Sequence, residues 1–208
     1  MAESAIAIVS GYLIGAIPFA YIAGHLLKGI DIRRVGGGNV GATNVLREVG
    51  TVPGFAVFFA DIGKGILAIL IAQWLDVPLL IVFISGLAAV VGHSWSVFLN
   101  FYGGRGAAIT IGIFFALVPL ECAISFGIMV VVVLITSNFR LAAGLGFILL
   151  PFIIWGFGGN TEVIIFSVTL PLFTGIRAAP ALVRSFKNPR ERKNLIVDRQ
   201  YKPWQRKK

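Results

Sequence analysis

The chain has 208 residues, of which 57% are hydrophobic and 13% charged, with a mean hydropathy of +0.90. A soluble domain carries about 25% charged residues, and a membrane crossing needs roughly 20 apolar residues, so the length suits about seven closely spaced spans and excludes a separate soluble catalytic domain. The formal net charge is +9, but ten of the eighteen basic residues lie from Arg184 onward, where they serve membrane topology and attraction to anionic lipid; nucleic acid is not an expected partner.

In chain order, apolar runs fall at roughly 4–27, 53–75, 77–99, 107–120, 121–139, 141–157 and 161–182. The opening MAESAIAIVSGYLIGAIPFA has no basic n-region and no small-residue cleavage site, so it reads as a retained first span. The fourth run is short, about 21 Å as a helix against a hydrocarbon thickness of about 30 Å. Five spans, with segments four and five re-entrant, is the alternative. Cys122 is the only cysteine, which excludes an intrachain disulfide, and its apolar surroundings make it packing.

Charge placement favours seven. Lys28, Arg33, Arg34 and Arg47 follow the first run, Arg105 the third and Arg140 the fifth, while Arg177 and the tail close the chain. The alternate connections, near Asp76, Glu121 and 158–162, contain no Lys or Arg. This positive-inside alternation puts the N-terminus outside and the C-terminus in the cytoplasm. The expected fold is therefore an all-α polytopic membrane protein, a compact bundle of seven transmembrane helices. Residues 1–183 form its membrane domain and 184–208 a basic cytoplasmic tail. Gly11, Gly15, Gly24, Gly86, Gly92, Gly144 and Gly146 allow close helix approach, and Trp74, Trp95, Trp155 and Trp204 fall near or beyond the ends of runs, as interfacial rings do.

Polar chemistry collects on one side. The first cytoplasmic loop, DIRRVGGGNVGATNVLREVG, offers a glycine turn ending at Gly38, the amides of Asn39 and Asn44, and Thr43 and Arg47 at helical i, i+4 spacing. Successive N–H groups in such a turn can cradle an anion. In the second run Asp61 and Lys64 share a face among Phe58, Phe59, Ile62 and Ile66. Facing lipid would cost both heavily, so they face the interior or the headgroups, as an ion pair, as a source of positive potential in a polar cavity, or as both. The third run ends in His93, followed by Gly103, Gly104, Arg105 and Gly106 directly before an apolar helix. Flexible N–H groups, a helix N-terminus and a guanidinium are three favourable partners for phosphate.

There is no G-x-x-x-x-G-K-[ST], no G-x-S-x-G, no H-E-x-x-H and no two-carboxylate metal cluster, so nucleotide hydrolysis, acyl-enzyme chemistry and metal binding have no signature, and no cofactor or metal is expected. Cations, amides and glycines around one histidine suit a small anion meeting a hydrophobic partner. A small-anion transporter is the rival reading, but no inverted repeat of GNVGATN or GGRG supports it.

The stretches YLIGAIPFAYIAGHLLKGIDIR, VGGGNVGATNVLREVG, FFADIGKG and GHSWSVFLNFYGGRGAAITIG, followed by a basic tail, resemble the bacterial acyl-phosphate-dependent glycerol-3-phosphate acyltransferases of the PlsY type, over roughly residues 12–112. The resemblance implies a multi-pass enzyme of the bacterial inner membrane with a cytoplasmic active site. It would transfer a fatty acyl group from acyl-phosphate to glycerol-3-phosphate, giving lysophosphatidic acid and phosphate, with no obligate protein partner expected. By the same resemblance, Arg47 with Asn39, Thr43 and Asn44, the phosphate loop of Gly103, Gly104 and Gly106, Asp61 with Lys64, and His93 occupy functional positions; His93, Arg47 and Lys64 are the expected catalytic residues, and Gly38, Asn39, Thr43, Asn44, Asp61, Gly103, Gly104, Arg105 and Gly106 the expected substrate-binding ones. Ala16 stands where the family usually has serine, Gly37 where it has serine, Arg105 where it has lysine and Ser96 where it has proline. Arg184, Asn188 and Glu191 match the family's tail only loosely.

An acyl-phosphate is already activated. The protein has to hold a hydroxyl against the carbonyl and neutralise the departing phosphate. Either His93 or a substrate phosphate oxygen takes the proton, and the sequence leaves both open.

Overall fold

Proline decides the first departure from seven uninterrupted helices. Pro18 has no N–H, and it pushes the residue before it out of the helical region, so Ile17 sits at φ −57, ψ 118. The first apolar run is therefore two helices, α1 (Ala2–Ala16) and α2 (Phe19–Lys28), the second ending on Gly29 at φ 62. The computed structural model describes residues 1–187; the rest of the tail, with Asn188 and Glu191, lies outside the described residues. Two units make up the chain, one of Met1–Pro119 and one beginning at Leu120.

In the first unit α3 (Ala42–Glu48), α4 (Thr51–Trp74), α5 (Leu79–Ser94), a 3-10 turn (Val97–Leu99) and α6 (Ala107–Leu117) follow. The α1 and α5 helices run parallel in close contact. A Cβ on Gly11 would stand 2.6 Å from the Ser85 carbonyl oxygen, one on Gly15 would strike the Ala89 backbone, and one on Gly92 the Tyr12 carbonyl. Small residues let backbones approach where water supplies no driving force. The same device joins α4 to α6, with Gly65 against Ile109 and Gly112 against Ile62. Ala20, Ile32, Val40, Val45, Val57 and Leu99 form a buried cluster, which orders the non-helical segment between α2 and α3.

The second unit holds α7 (Pro119–Thr136), α8 (Phe139–Gly156) and α9 (Thr161–Lys187). Ser125 Oγ donates to the Gly146 carbonyl at 2.9 Å, where Met129 also packs. Asn138 caps α8 by accepting from the N–H groups of Arg140 and Leu141, both at 3.1 Å. Arg140 reaches Ser185 Oγ on α9 at 3.2 Å.

Six helical segments among the described residues are long and apolar enough to cross a membrane, with α1 and α2 counted together. The eleven residues of α6 span only about 16 Å. Pro119 ends the fourth run early because a proline fits the first turn of a new helix, α7, better than the interior of an old one. The last run extends beyond residue 182 to Lys187.

Candidate active site

The α1–α2 break leaves main-chain carbonyls without helical partners, and α4 supplies a cation for them. Lys64 Nζ donates to the carbonyls of Gly15 at 3.1 Å and Ile17 at 2.9 Å, and lies 2.7 Å from Asp61 Oδ1 and 3.3 Å from His93 Nδ1. The three N–H donors thus match two carbonyls and the histidine nitrogen, Asp61 Oδ1 is paired by charge without a hydrogen bond, and the Phe19 ring adds a cation–π contact at 5.4 Å. Lys64 is 4% exposed and Asp61 2%. Charges this deeply buried persist only when paired and hydrogen-bonded.

His93 completes the cluster. Its Nδ1 is 3.8 Å from Asp61 Oδ1, and its Nε2 side abuts Gly104, where a Cβ would overlap the imidazole and stand 2.6 Å from the Val40 carbonyl oxygen. The Gly104 N–H donates back to the His93 carbonyl at 2.9 Å. With Nδ1 accepting from the Lys64 ammonium, the proton of the neutral ring falls on Nε2. Asp61, Lys64, His93, Ser96 and Gly103 line a small cavity with Ala16, about 10 Å³ open to water centres, roughly one water.

The first loop is organised by Asn44, 5% exposed. Its Nδ2 donates to the carbonyls of Ile32 at 3.0 Å and Val35 at 3.1 Å, and its Oδ1 accepts from the Gly37 N–H at 3.1 Å. The Gly38 N–H donates to the Val35 carbonyl at 3.0 Å. The N–H groups of Gly37 and Gly38 are thus spent on the loop itself. Tyr102 OH donates to the Gly38 carbonyl at 3.1 Å, joining this loop to the one before α6. Asp31 anchors the loop's start: Arg33 Nη2 lies 2.8 Å from its Oδ2, and this hydrogen bond holds its carboxyl at about 2. The guanidinium of Arg33 also stacks over Tyr21 at 5.1 Å.

The structure brings Asp61, Lys64, His93, Gly103 and Gly104 together. Asn39, Thr43, Asn44, Arg47 and Arg105 do not line the cavity. Arg47 is exposed on α3, and Arg105 is half-buried just before Gly106, whose φ of 90 turns the chain into α6 without a side-chain cap. Sequence reasoning missed Phe19, Tyr102 and the carbonyls of Gly15 and Ile17. Pro18 was the signal for the carbonyls, since a proline inside an apolar run frees acceptors that a buried cation can take.

Comparison with known proteins places this geometry. A family model described as glycerol-3-phosphate acyltransferase matches residues 5–188. Glycerol-3-phosphate acyltransferase 2 of Moorella thermoacetica is 46% identical over 149 residues, 72% of this chain and 76% of that protein. Glycerol-3-phosphate acyltransferase 1 of Dehalococcoides mccartyi is 38% identical over 200 residues, 93% of this chain and 96% of its own. The crystal structure of PlsY (YgiH), an integral membrane glycerol 3-phosphate acyltransferase in its glycerol 3-phosphate form, superposes with a TM-score of 0.81 at 32% identity, covering 88% of this chain and 92% of that one. Breadth of match and shared fold agree: the chain is an all-α multi-pass membrane protein and belongs to the glycerol-3-phosphate acyltransferase family.

Proposed function

We propose that this protein transfers a fatty acyl group from acyl-phosphate to glycerol-3-phosphate, releasing lysophosphatidic acid and phosphate. The observation that carries the reading is the family match across nearly the whole described chain. In the reaction a glycerol hydroxyl oxygen bonds to the acyl carbonyl carbon, the bond from that carbon to the phosphate oxygen breaks, and phosphate leaves with the electron pair. Acceleration comes from positioning and from charge stabilisation.

Arg47 and Arg105, with Asn39, Thr43 and the backbone at Gly103 and Gly106, are the proposed phosphate-binding groups, while Gly38, Asn44 and Gly104, whose polar groups are engaged within the protein, shape the two loops. Asp61, Lys64 and His93 form the buried brace beneath them. The 3.3 Å approach of Lys64 to His93 Nδ1 occupies the lone pair a general base needs, which favours a substrate phosphate oxygen as proton acceptor.

We further propose seven crossings, with α1 and α2 as one and α6 as the short fourth. The N-terminus lies outside the bacterial inner membrane, and the site and basic tail face the cytoplasm and its anionic lipid. Positive-inside charge placement supports this orientation. No obligate protein partner is part of the reading.

The test is an assay of membrane-embedded protein with acyl-phosphate and glycerol-3-phosphate, without coenzyme A. Lysophosphatidic acid is the expected product; activity with acyl-coenzyme A alone would overturn the assignment. Single cysteines introduced after Cys122→Ser report orientation: one near Gly159 labels from outside and one at Gly37, which is exposed with open space around it, from inside, and the reverse pattern refutes it.

A further inference from the structure

The segment from the end of α5 to the glycine-rich loop turns its largest side chains outward. Trp95, Val97, Phe98, Phe101 and Tyr102 are all exposed, Phe98 at 58% and Phe101 at 63%, whereas Ser96 and Leu99 between them are buried. The rings are held there. Ser96 Oγ donates to the Ala16 carbonyl at 2.6 Å and accepts from the Phe98 N–H at 3.2 Å, and Leu99 packs into the buried cluster of Ile32, Val40 and Val45. Asn100 and Phe101 lie in the left-handed region, at φ 53 and φ 59, a costly pair of conformations that persists only where the surroundings hold it. A hydroxyl and one leucine anchor the turn inward, and the anchoring fixes the aromatic side outward.

The neighbouring loop exposes the opposite chemistry. Arg34, Gly36, Gly37 and Arg47 are its exposed residues, and the hydrogen bond from Tyr102 OH to the Gly38 carbonyl at 3.1 Å ties it to the aromatic segment. One joined pair of loops therefore presents an apolar edge and a cationic edge. Exposed large apolar side chains crowded into one short segment mark a contact with membrane or protein, not a solvated surface.

The structure points to lipid as the covering. The segment continues directly from α5, a helix apolar enough to cross a membrane, and so begins where the crossing meets the headgroups. Tyr12 OH donates to the Trp95 carbonyl at 2.9 Å, and Tyr12 also lines an open apolar groove between α1 and α5 with Ile8, Val9, Ile84, Leu87 and Val91. The lipid-facing surface of the two helices thus leads to the first residue of the segment. Trp95 and Tyr102, at its two ends, are the residue types that settle at headgroup level.

We propose that Val97, Phe98 and Phe101 insert into the membrane leaflet beside the site, at the boundary between headgroups and acyl chains. The glycine-rich loop is then walled by lipid on the side of the rings and open to water on the side of Arg34 and Gly37, giving an amphiphilic ligand and a water-soluble one different sides from which to reach it. The insertion does not depend on the acyltransferase reading.

The experiment uses the full chain with Cys122→Ser and one added cysteine, Phe98→Cys, Phe101→Cys, Leu67→Cys or Gly37→Cys. Each variant is labelled with bimane, checked for a monodisperse peak and reconstituted into nanodiscs of phosphatidylcholine and phosphatidylglycerol, whose two faces both meet the buffer. Leu67, exposed on the membrane-crossing α4, is the lipid reference, and Gly37, exposed in open space, is the water reference. The quenchers are aqueous iodide and a phosphatidylcholine carrying a nitroxide on its acyl chain. Labels at 98 and 101 should emit to the blue of the Gly37 label, be quenched by the nitroxide lipid as at Leu67, and lose most of the iodide quenching seen at Gly37. Iodide quenching as strong as at Gly37 means a solvated segment and overturns the proposal. Protection from both quenchers means that protein, such as a second copy of this chain, covers the segment, and overturns it equally. Should either ring variant fail to fold, Val97→Cys takes its place under the same criteria.

Discussion

Lys64 Nζ stands 2.9 Å from the carbonyl oxygen of Ile17, the residue at which Pro18 ends α1, so a cation in the middle of one helix holds open the break in another. Replacing it with Lys64→Met strands the Asp61 carboxylate in a buried site, which should cost about 3 to 5 kcal/mol. Lys64→Met/Asp61→Asn should be more stable than Lys64→Met alone, because no uncompensated charge remains. Thermal unfolding in detergent measures the order.

Two glycines of α4 predict opposite outcomes. A Cβ on Gly65 would strike the Ile109 backbone, whereas one on Gly63 meets nothing within 4 Å. Gly65→Ala should destabilise by about 1 to 3 kcal/mol, and Gly63→Ala should leave Tm unchanged or raised. Equal effects would refute the close α4–α6 packing.

Gly37 occupies open space with nothing within 4 Å of an added Cβ, and its φ is not left-handed. Gly37→Ser should therefore fold as the wild type does. A hydroxyl placed beside a substrate phosphate should raise kcat/KM up to about tenfold. Rates below those of wild type would separate the first loop from substrate.

Asn44→Ala removes the partners of the Gly37 N–H and the Ile32 carbonyl and one of the two donors to the Val35 carbonyl, which keeps the Gly38 N–H. Unpaired buried groups cost about 1 to 3 kcal/mol each, so this variant should lose stability and activity in parallel. Asn44→Asp keeps the acceptor for Gly37 and loses both donors, and should be intermediate at best. Amide hydrogen exchange across residues 32–44 reports the loosening directly.

Arg47→Ala and Arg105→Ala should remain folded and lose about 10 to 100-fold in kcat/KM, the worth of one guanidinium–phosphate contact, with Arg105→Lys the mildest change. Wild-type kcat/KM for both substrates in folded variants would eliminate the two-loop phosphate site.

The Asp31 carboxyl is held at about 2 by its hydrogen bonds to Arg33, below the ordinary 3.8. The stabilisation this pair provides is fully present above the ordinary value and is lost as pH falls through about 2. Asp31→Asn should remove it at every pH above that range, by less than about 1 kcal/mol for a pair this open to solvent. Its effect on Tm should be the same at pH 5 and pH 8.

Composition alone determined that the chain lives in a membrane, because burying this many apolar residues in a 208-residue soluble domain is impossible. The order of apolar runs anticipated the helices, and the motifs around Arg47, Lys64, His93 and Gly104 marked the candidate site. Tertiary structure alone decided which groups meet. Lys64, Ser96, Tyr102 and Asn44 are each satisfied by main-chain carbonyls, and a carbonyl leaves no trace in residue identity. Nor did the sequence reveal that α1 packs parallel to α5, since helices apolar all round carry no stripe to mark the face that turns inward. The contact between Ala16 and Ser96 belongs to the same class: two residues 80 positions apart along the chain share one hydrogen bond, because helix packing closes the distance between them.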